Sequence, residues 1–197
     1  TIDDGLPSQN CLNTNAEQLA EYAYLCQQVG LVPIVEPEVL MNGAHTLERC
    51  AEVTAAMLQA VFTALKSAGV ELSGMLLKPN MILPGKDSGQ LVSDDNIAVA
   101  TINVLKNNVP TEVAGIVFLS GGQTEPQATA RLNSMVKLAD GLPWPITFSY
   151  GRALQTSTLH TWAGHADNVP AAQQVFLQSA RLNSLAAAGK YSRKLET

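Results

Sequence analysis

The chain has 197 residues, nearly half of them hydrophobic (46%), which is enough to bury a sizeable core in one domain or a large part of one and excludes a disordered or fibrous sequence. Its formal charge of -5, with no lysine- or arginine-rich run, excludes nucleic acid and anionic membrane as main partners, since neither would be attracted electrostatically. No apolar run approaches a membrane span, and the first residues lack a signal-peptide pattern, so the reading is a soluble chain.

Residues 1–12, with Asp3-Asp4-Gly5 and Pro7-Ser8, read as a loop. Thr14 followed by Glu17 resembles a capping box, which predicts a helix with Leu19, Tyr22, Ala23 and Cys26 on its apolar side and Gly30 at its end. The run Leu31 to Val35, closed by Glu36-Pro37-Glu38, reads as a strand apolar on both faces, the mark of a parallel sheet covered by helices. Thr46 opens a long amphipathic segment through Cys50, Met57, Val61 and Leu65 to a turn at Gly69. A second strand at 74–78 then delivers Lys78 to its end and is stopped by Pro79.

Ser93-Asp94-Asp95 begins the next helix, with acidic groups in its first turn. Strand three is 114–120, followed by Gly121-Gly122 and a helix from Thr124 to Ala139. Strand four is 145–150, followed by Gly151-Arg152 and helices reaching Gly189, the last an amphipathic packing helix. Four strand-helix units with no linker make one continuous α/β architecture, and no GxGxxG turn follows the first strand. The fold class is therefore read as part of a (β/α)8 barrel, whose chemistry sits at the C-terminal strand ends; here those ends carry Glu36, Lys78, Ser120, and Ser149 with Arg152.

Lys78 at the end of an apolar strand is expected to be buried, where desolvation favours the neutral amine that adds to a ketone. The alternative is a lysine that snorkels to solvent. Glu36 and Glu38 can shuttle protons for imine formation, or pair with the lysine. Ser120-Gly121-Gly122-Gln123, between a strand and a helix, suits an oxyanion, though such a turn can need glycine for steric reasons alone; Gly151-Arg152 adds a guanidinium for a phosphate. Asn80 either orients the lysine, binds substrate or forms a turn with proline.

His45, His160 and His165 lack metal-ligand spacing and read as surface or capping residues. Cys11, Cys26 and Cys50 read as reduced, buried thiols of a cytosol-like compartment. Trp144, Trp162 and the tyrosines read as packing residues, and the serines lack a GxSxG elbow.

The segments Val32 to Glu38, Leu76 to Met81, Phe118 to Gln123 and Phe148 to Gln155 together resemble the class I fructose-bisphosphate aldolases, and with the helix near Gln173 to Tyr191 the resemblance covers nearly the whole chain. It implies that Lys78 forms the Schiff base, that Glu36 is the general acid/base with Glu38 assisting, and that Leu119, Ser120, Gly121, Ser149, Gly151 and Arg152 hold the phosphate on the dihydroxyacetone side of the sugar. It implies no metal or other cofactor, a sugar-phosphate substrate, a homotetramer, and a cytoplasmic location, or a plastid one with an upstream transit peptide. By the same resemblance residues 1–197 are the C-terminal half of a single barrel domain. The first four strands, with an aspartate and a further lysine, and the C-terminal tail with its terminal tyrosine then lie outside this sequence. The alternatives are another Schiff-base sugar-phosphate aldolase, and a non-catalytic scaffold of the same fold.

Overall fold

The computed structural model describes residues 1–196. Four short strands, β1 (Ile34–Val35), β2 (Leu76–Leu77), β3 (Gly115–Phe118) and β4 (Ile146–Phe148), alternate with helices α1 (Gln9–Gln28), α2 (Leu47–Ser67), α3 (Asp94–Asn108), α4 (Glu125–Lys137), α5 (Arg152–Trp162) and α6 (Val169–Ala187). The sheet is parallel throughout and its order is that of the sequence, β1-β2-β3-β4. A doubly wound sheet would reverse its order at a switch point. The arrangement is instead four consecutive units of a (β/α)8 barrel wall.

Register explains why one face of this wall is dry. Val35, Leu77 and Ile116 align across β1, β2 and β3, with Ile146 next on β4, and all four are buried on the helical side. Their neighbours on the other face, Ile34, Leu76, Val117 and Thr147, are covered unequally, and Ile34 keeps 40% of its surface exposed. The parallel wall with its covering helices is the partial (β/α)8 architecture the sequence predicts. Among the described residues β1 and β4 each pair with one strand, so both outer edges are unpaired.

The helices are set by their caps. The Thr46, Ser93 and Thr124 side chains accept hydrogen bonds from the backbone N–H of Arg49, Asn96 and Gln127, and Thr124 and Gln127 complete a capping box. The first helix departs from the sequence reading. Its cap is Ser8, whose hydroxyl accepts from Cys11 N–H at 3.2 Å, so residues 9–12 are helical and Thr14 and Glu17 are exposed interior residues. The buried stripe is Leu12, Ala16, Ala20 and Ala23, while Tyr22 is exposed. At the far end Gly30 takes a left-handed backbone (φ +76°), which lets Leu31 N–H reach Cys26 C=O at 2.9 Å and close the helix.

Several side chains lie differently from the sequence expectation. Among the thiols only Cys50 is buried; Cys26 is half-buried and Cys11 exposed, and all three are free. Trp144 is buried and donates from its indole nitrogen to Pro110 C=O, but Trp162, Tyr22 and Tyr24 are exposed. His160 and His165 are exposed, as expected, whereas His45 is buried, with neither ring nitrogen in hydrogen-bonding geometry. Its enclosure follows from a clasp between two loops. Gly85, Lys86 and Asp87 donate their backbone N–H groups to His45, Met41 and Gly43 C=O at 2.8, 3.0 and 2.9 Å. A Cβ on Gly85 would stand 2.2 Å from Gly43 O, so the two backbones touch.

Candidate active site

Because the sheet is parallel, all four strands deliver their C-terminal ends to one rim. Glu36 follows β1 directly, Lys78 follows β2, Leu119 and Ser120 follow β3, and Ser149 follows β4. Lys78 N–H donates to Val35 C=O at 2.7 Å, which extends the ladder by one residue and sets the lysine beside Glu36. The side chains meet there: Lys78 Nζ lies 3.3 Å from Glu36 Oε1, with 20% and 41% of the two side chains exposed. Lys78 is thus neither sealed among apolar groups nor snorkelling free. It forms an ion pair, and the pairing carboxylate is Glu36 and not Glu38.

Alternation continues past β1: Val35, Pro37 and Val39 are buried while Glu36 and Glu38 are exposed on the opposite side, so the two carboxylates share a face as the strand geometry predicts. Glu38 Oε1 would come within 2.7 Å of a Cβ on Gly121. The carboxylate therefore rests against the glycine turn after β3. Gly122 adopts φ +77°, and a Cβ there would meet Met41 Cβ and Cγ at 2.8 Å. Both glycines are demanded by the 38–41 segment packing on them, so the steric reading of this turn is correct. It does not displace the other reading, because the backbone amides of Ser120, Gly121 and Gly122 have no acceptor among the described residues.

Asn80 neither faces the lysine nor forms an open turn. It is 2% exposed; its Oδ1 accepts from Val39 N–H at 3.1 Å and its Nδ2 donates to Thr54 Oγ1 and Met81 C=O, both at 3.2 Å. It ties the segment after β2 to the segment bearing Glu38. Sequence reasoning also missed Arg131, on the buried side of α4, whose Nη1 donates to Gln123 Oε1 at 3.0 Å and whose Nε pairs with Asp94 at 3.0 Å. Burial lowers the pKa of this guanidinium and the Asp94 carboxylate opposes that shift. Tyr150 fixes the end of β4 by donating to Ala128 C=O at 3.1 Å, and burial pushes its hydroxyl pKa far up. No pattern in the sequence marks either contact, since both depend on how α4 lies against its neighbours.

Arg152 is the first residue of α5 and is exposed. It shares a cleft with Gly122 and Gln123, outside the Lys78–Glu36 pair. Gly151 caps α5 without a side-chain hydrogen bond, at φ -90°. Among the described residues no group of three His, Cys, Asp or Glu side chains is placed to hold a metal ion.

The family model described as fructose-bisphosphate aldolase class-I matches residues 1–197. The chain belongs to the class I fructose-bisphosphate aldolase family. It is 50% identical to a cytosolic fructose-bisphosphate aldolase of Arabidopsis thaliana over 96% of this chain and 48% of that protein, and 51% identical to the fructose-bisphosphate aldolase of Dictyostelium discoideum over 97% of this chain and 53% of that one. A solved aldolase structure from Plasmodium falciparum superposes with a TM-score of 0.94 at 47% identity, covering 97% of this chain and 55% of that chain. The chain spans about half the length of the aldolases it matches.

Proposed function

We propose that this chain is the C-terminal half of a single (β/α)8 domain and supplies the Schiff-base wall of an enzyme that reversibly cleaves fructose 1,6-bisphosphate to dihydroxyacetone phosphate and glyceraldehyde 3-phosphate. The observation that carries the proposal is the Lys78–Glu36 pair at 3.3 Å, on adjacent strand ends beside the Glu38–Gly121 contact. A lysine next to a carboxylate on the rim of a barrel wall has both the nucleophile and the proton carrier that imine chemistry needs.

In this reading Lys78 passes its proton to Glu36, and the Nζ lone pair attacks the substrate's ketone carbon. The former ketone oxygen takes one proton from the attacking nitrogen and one back from Glu36, and leaves as water to give a protonated imine. Glu36, again a carboxylate, takes the proton of the hydroxyl beside the scissile bond; that bond's electron pair flows into the imine as the aldehyde departs, forming an enamine. Protonation of the enamine carbon and hydrolysis then release dihydroxyacetone phosphate and restore Lys78. Glu38 assists from the glycine turn. Leu119, Ser120, Gly121, Ser149, Gly151 and Arg152 hold the phosphate and so fix the ketone against the amine.

Class I aldolases work without a metal, and the covalent imine is the electron sink here. Two plant relatives are named cytosolic, which supports a cytoplasmic location. A homotetramer is the assembly the family resemblance implies. The test is intact mass and peptide mapping of the full-length protein after incubation with dihydroxyacetone phosphate and borohydride. One adduct on Lys78, absent in Lys78→Ala and unaffected by a chelator, is expected. Absence of any adduct would sink the proposal and leave a non-catalytic scaffold, and activity lost with the chelator would sink it in favour of metal-dependent chemistry.

A further inference from the structure

Beside the glycine turn lies a cleft of about 430 Å³ between the N-terminal ends of α4 and α5. Two cations line it, Lys86 from the loop after β2 and Arg152 from α5. Among the described residues neither has a carboxylate within 4.0 Å, in a protein whose formal charge is -5. The single acid in the lining, Glu125, is already engaged, since Ser157 donates to its carboxylate from both N–H and hydroxyl. The cleft therefore carries a net positive charge, two cations against one carboxylate that Ser157 already holds.

Lys86 is not a freely drifting surface lysine. Its backbone is held by the clasp to Met41 and by the contact of Gly85 with Gly43, and its Cε lies 3.8 Å from where a Cβ of Gly122 would stand. Its stem thus crosses the back of the turn whose amides have no acceptor. Gln123, also in the lining, is fixed by Arg131: a guanidinium only donates, so it must face Oε1, and the amide Nε2 is left as a donor without a partner among the described residues. Two cations gathered on one cleft, one of them against the turn whose amides have no acceptor, suit an oxyanion.

We infer that Lys86 is a further phosphate-binding residue, sharing with Arg152 a phosphate group of the substrate and setting the preference for phosphorylated over free ketones. The inference rests on the Schiff-base reading above for the identity of the substrate. The anion site itself stands on the cleft alone.

The test uses the full-length protein and its Lys86→Gln and Lys86→Arg variants, with inorganic phosphate as the direct probe and borohydride trapping of dihydroxyacetone phosphate and of dihydroxyacetone as the substrate pair. Loss of one charge-assisted contact is expected to weaken inorganic phosphate binding about tenfold in Lys86→Gln. The ratio of half-saturating concentrations, dihydroxyacetone over dihydroxyacetone phosphate, should fall by a similar factor, with Lys86→Arg restoring most of it. Unchanged phosphate affinity in Lys86→Gln overturns the site. Weakened phosphate affinity with an unchanged ketone ratio overturns the assignment to the substrate. Absence of any Lys78 adduct with either ketone is failure of the Schiff-base reading instead, and the phosphate titration still decides the anion site.

Discussion

Asn80→Ala should cost the full-length protein about 4 kcal/mol of stability, more than any exposed residue of the rim. The sum is built from three contacts of a side chain that is 2% exposed. Val39 N–H loses its acceptor at 3.1 Å; a buried donor left unsatisfied costs about 1–3 kcal/mol. The two bonds donated to Thr54 Oγ1 and Met81 C=O each contribute about 1 kcal/mol net. Urea unfolding of wild type and variant with a common m-value measures the difference directly. Because Val39 adjoins Glu38, the same variant should also trap dihydroxyacetone phosphate more slowly after borohydride addition. A loss below about 1 kcal/mol at unchanged m would refute the reasoning, showing that the segment bearing Glu38 does not depend on this tether.

Glu36→Gln removes the carboxylate beside Lys78 but, with 41% of that side chain exposed, should change stability by no more than about 1 kcal/mol while slowing adduct formation about 100-fold; single-turnover trapping separates the two effects. Gly122→Ala forces a left-handed backbone on alanine and drives its Cβ into Met41, so about 2–4 kcal/mol of stability should be lost, read by the urea midpoint, with phosphate affinity falling alongside. His45 gives a pH prediction. Burial holds its pKa below 6.5, and the nearby backbone of Leu83 and Asn42 only softens that shift. The unfolded chain then binds the proton more readily than the folded one, so this residue's contribution is present above about pH 6.5 and is lost as pH falls below it toward the lowered folded value. Urea midpoints at about pH 7.5 and about pH 5.5 should differ less in His45→Phe than in wild type.

The rim was legible in the sequence because each strand end is marked locally, by apolar runs that stop at Glu36, Lys78, Ser120 and Ser149. Helix starts at Thr46, Ser93 and Thr124 were legible for a similar reason: each cap residue stands before a periodic run. Ser8 was obscured because the residue three positions on is Cys11, which cannot complete a capping box, while Thr14 and Glu17 imitate one inside the helix. What stayed hidden was set by contacts between distant segments. His45 is enclosed by a loop 40 residues away in sequence, through the bond from Gly85 N–H. Asn80 reaches back to Val39, and Arg131 reaches Gln123 and Asp94; nothing beside them in the chain announces those partners. The expected closed burial of Lys78 failed because an apolar run says that a strand is covered, and not on how many sides.

The outer edge of β1 bears on the chemistry of the pair that sits at its end. Glu36 belongs to the edge strand, so the water around its carboxylate is set by whatever neighbour that edge receives. Two unit charges about 4 Å apart attract by about 1 kcal/mol in bulk water and by about 4 kcal/mol at the effective dielectric of about 20 found near protein surfaces. A strand added at this edge would move the Lys78–Glu36 pair toward the second regime without touching either side chain. The seam beside β1 therefore acts as a dial on the strength of this ion pair, and substitutions on its far side can tune it while leaving every residue of this wall unchanged.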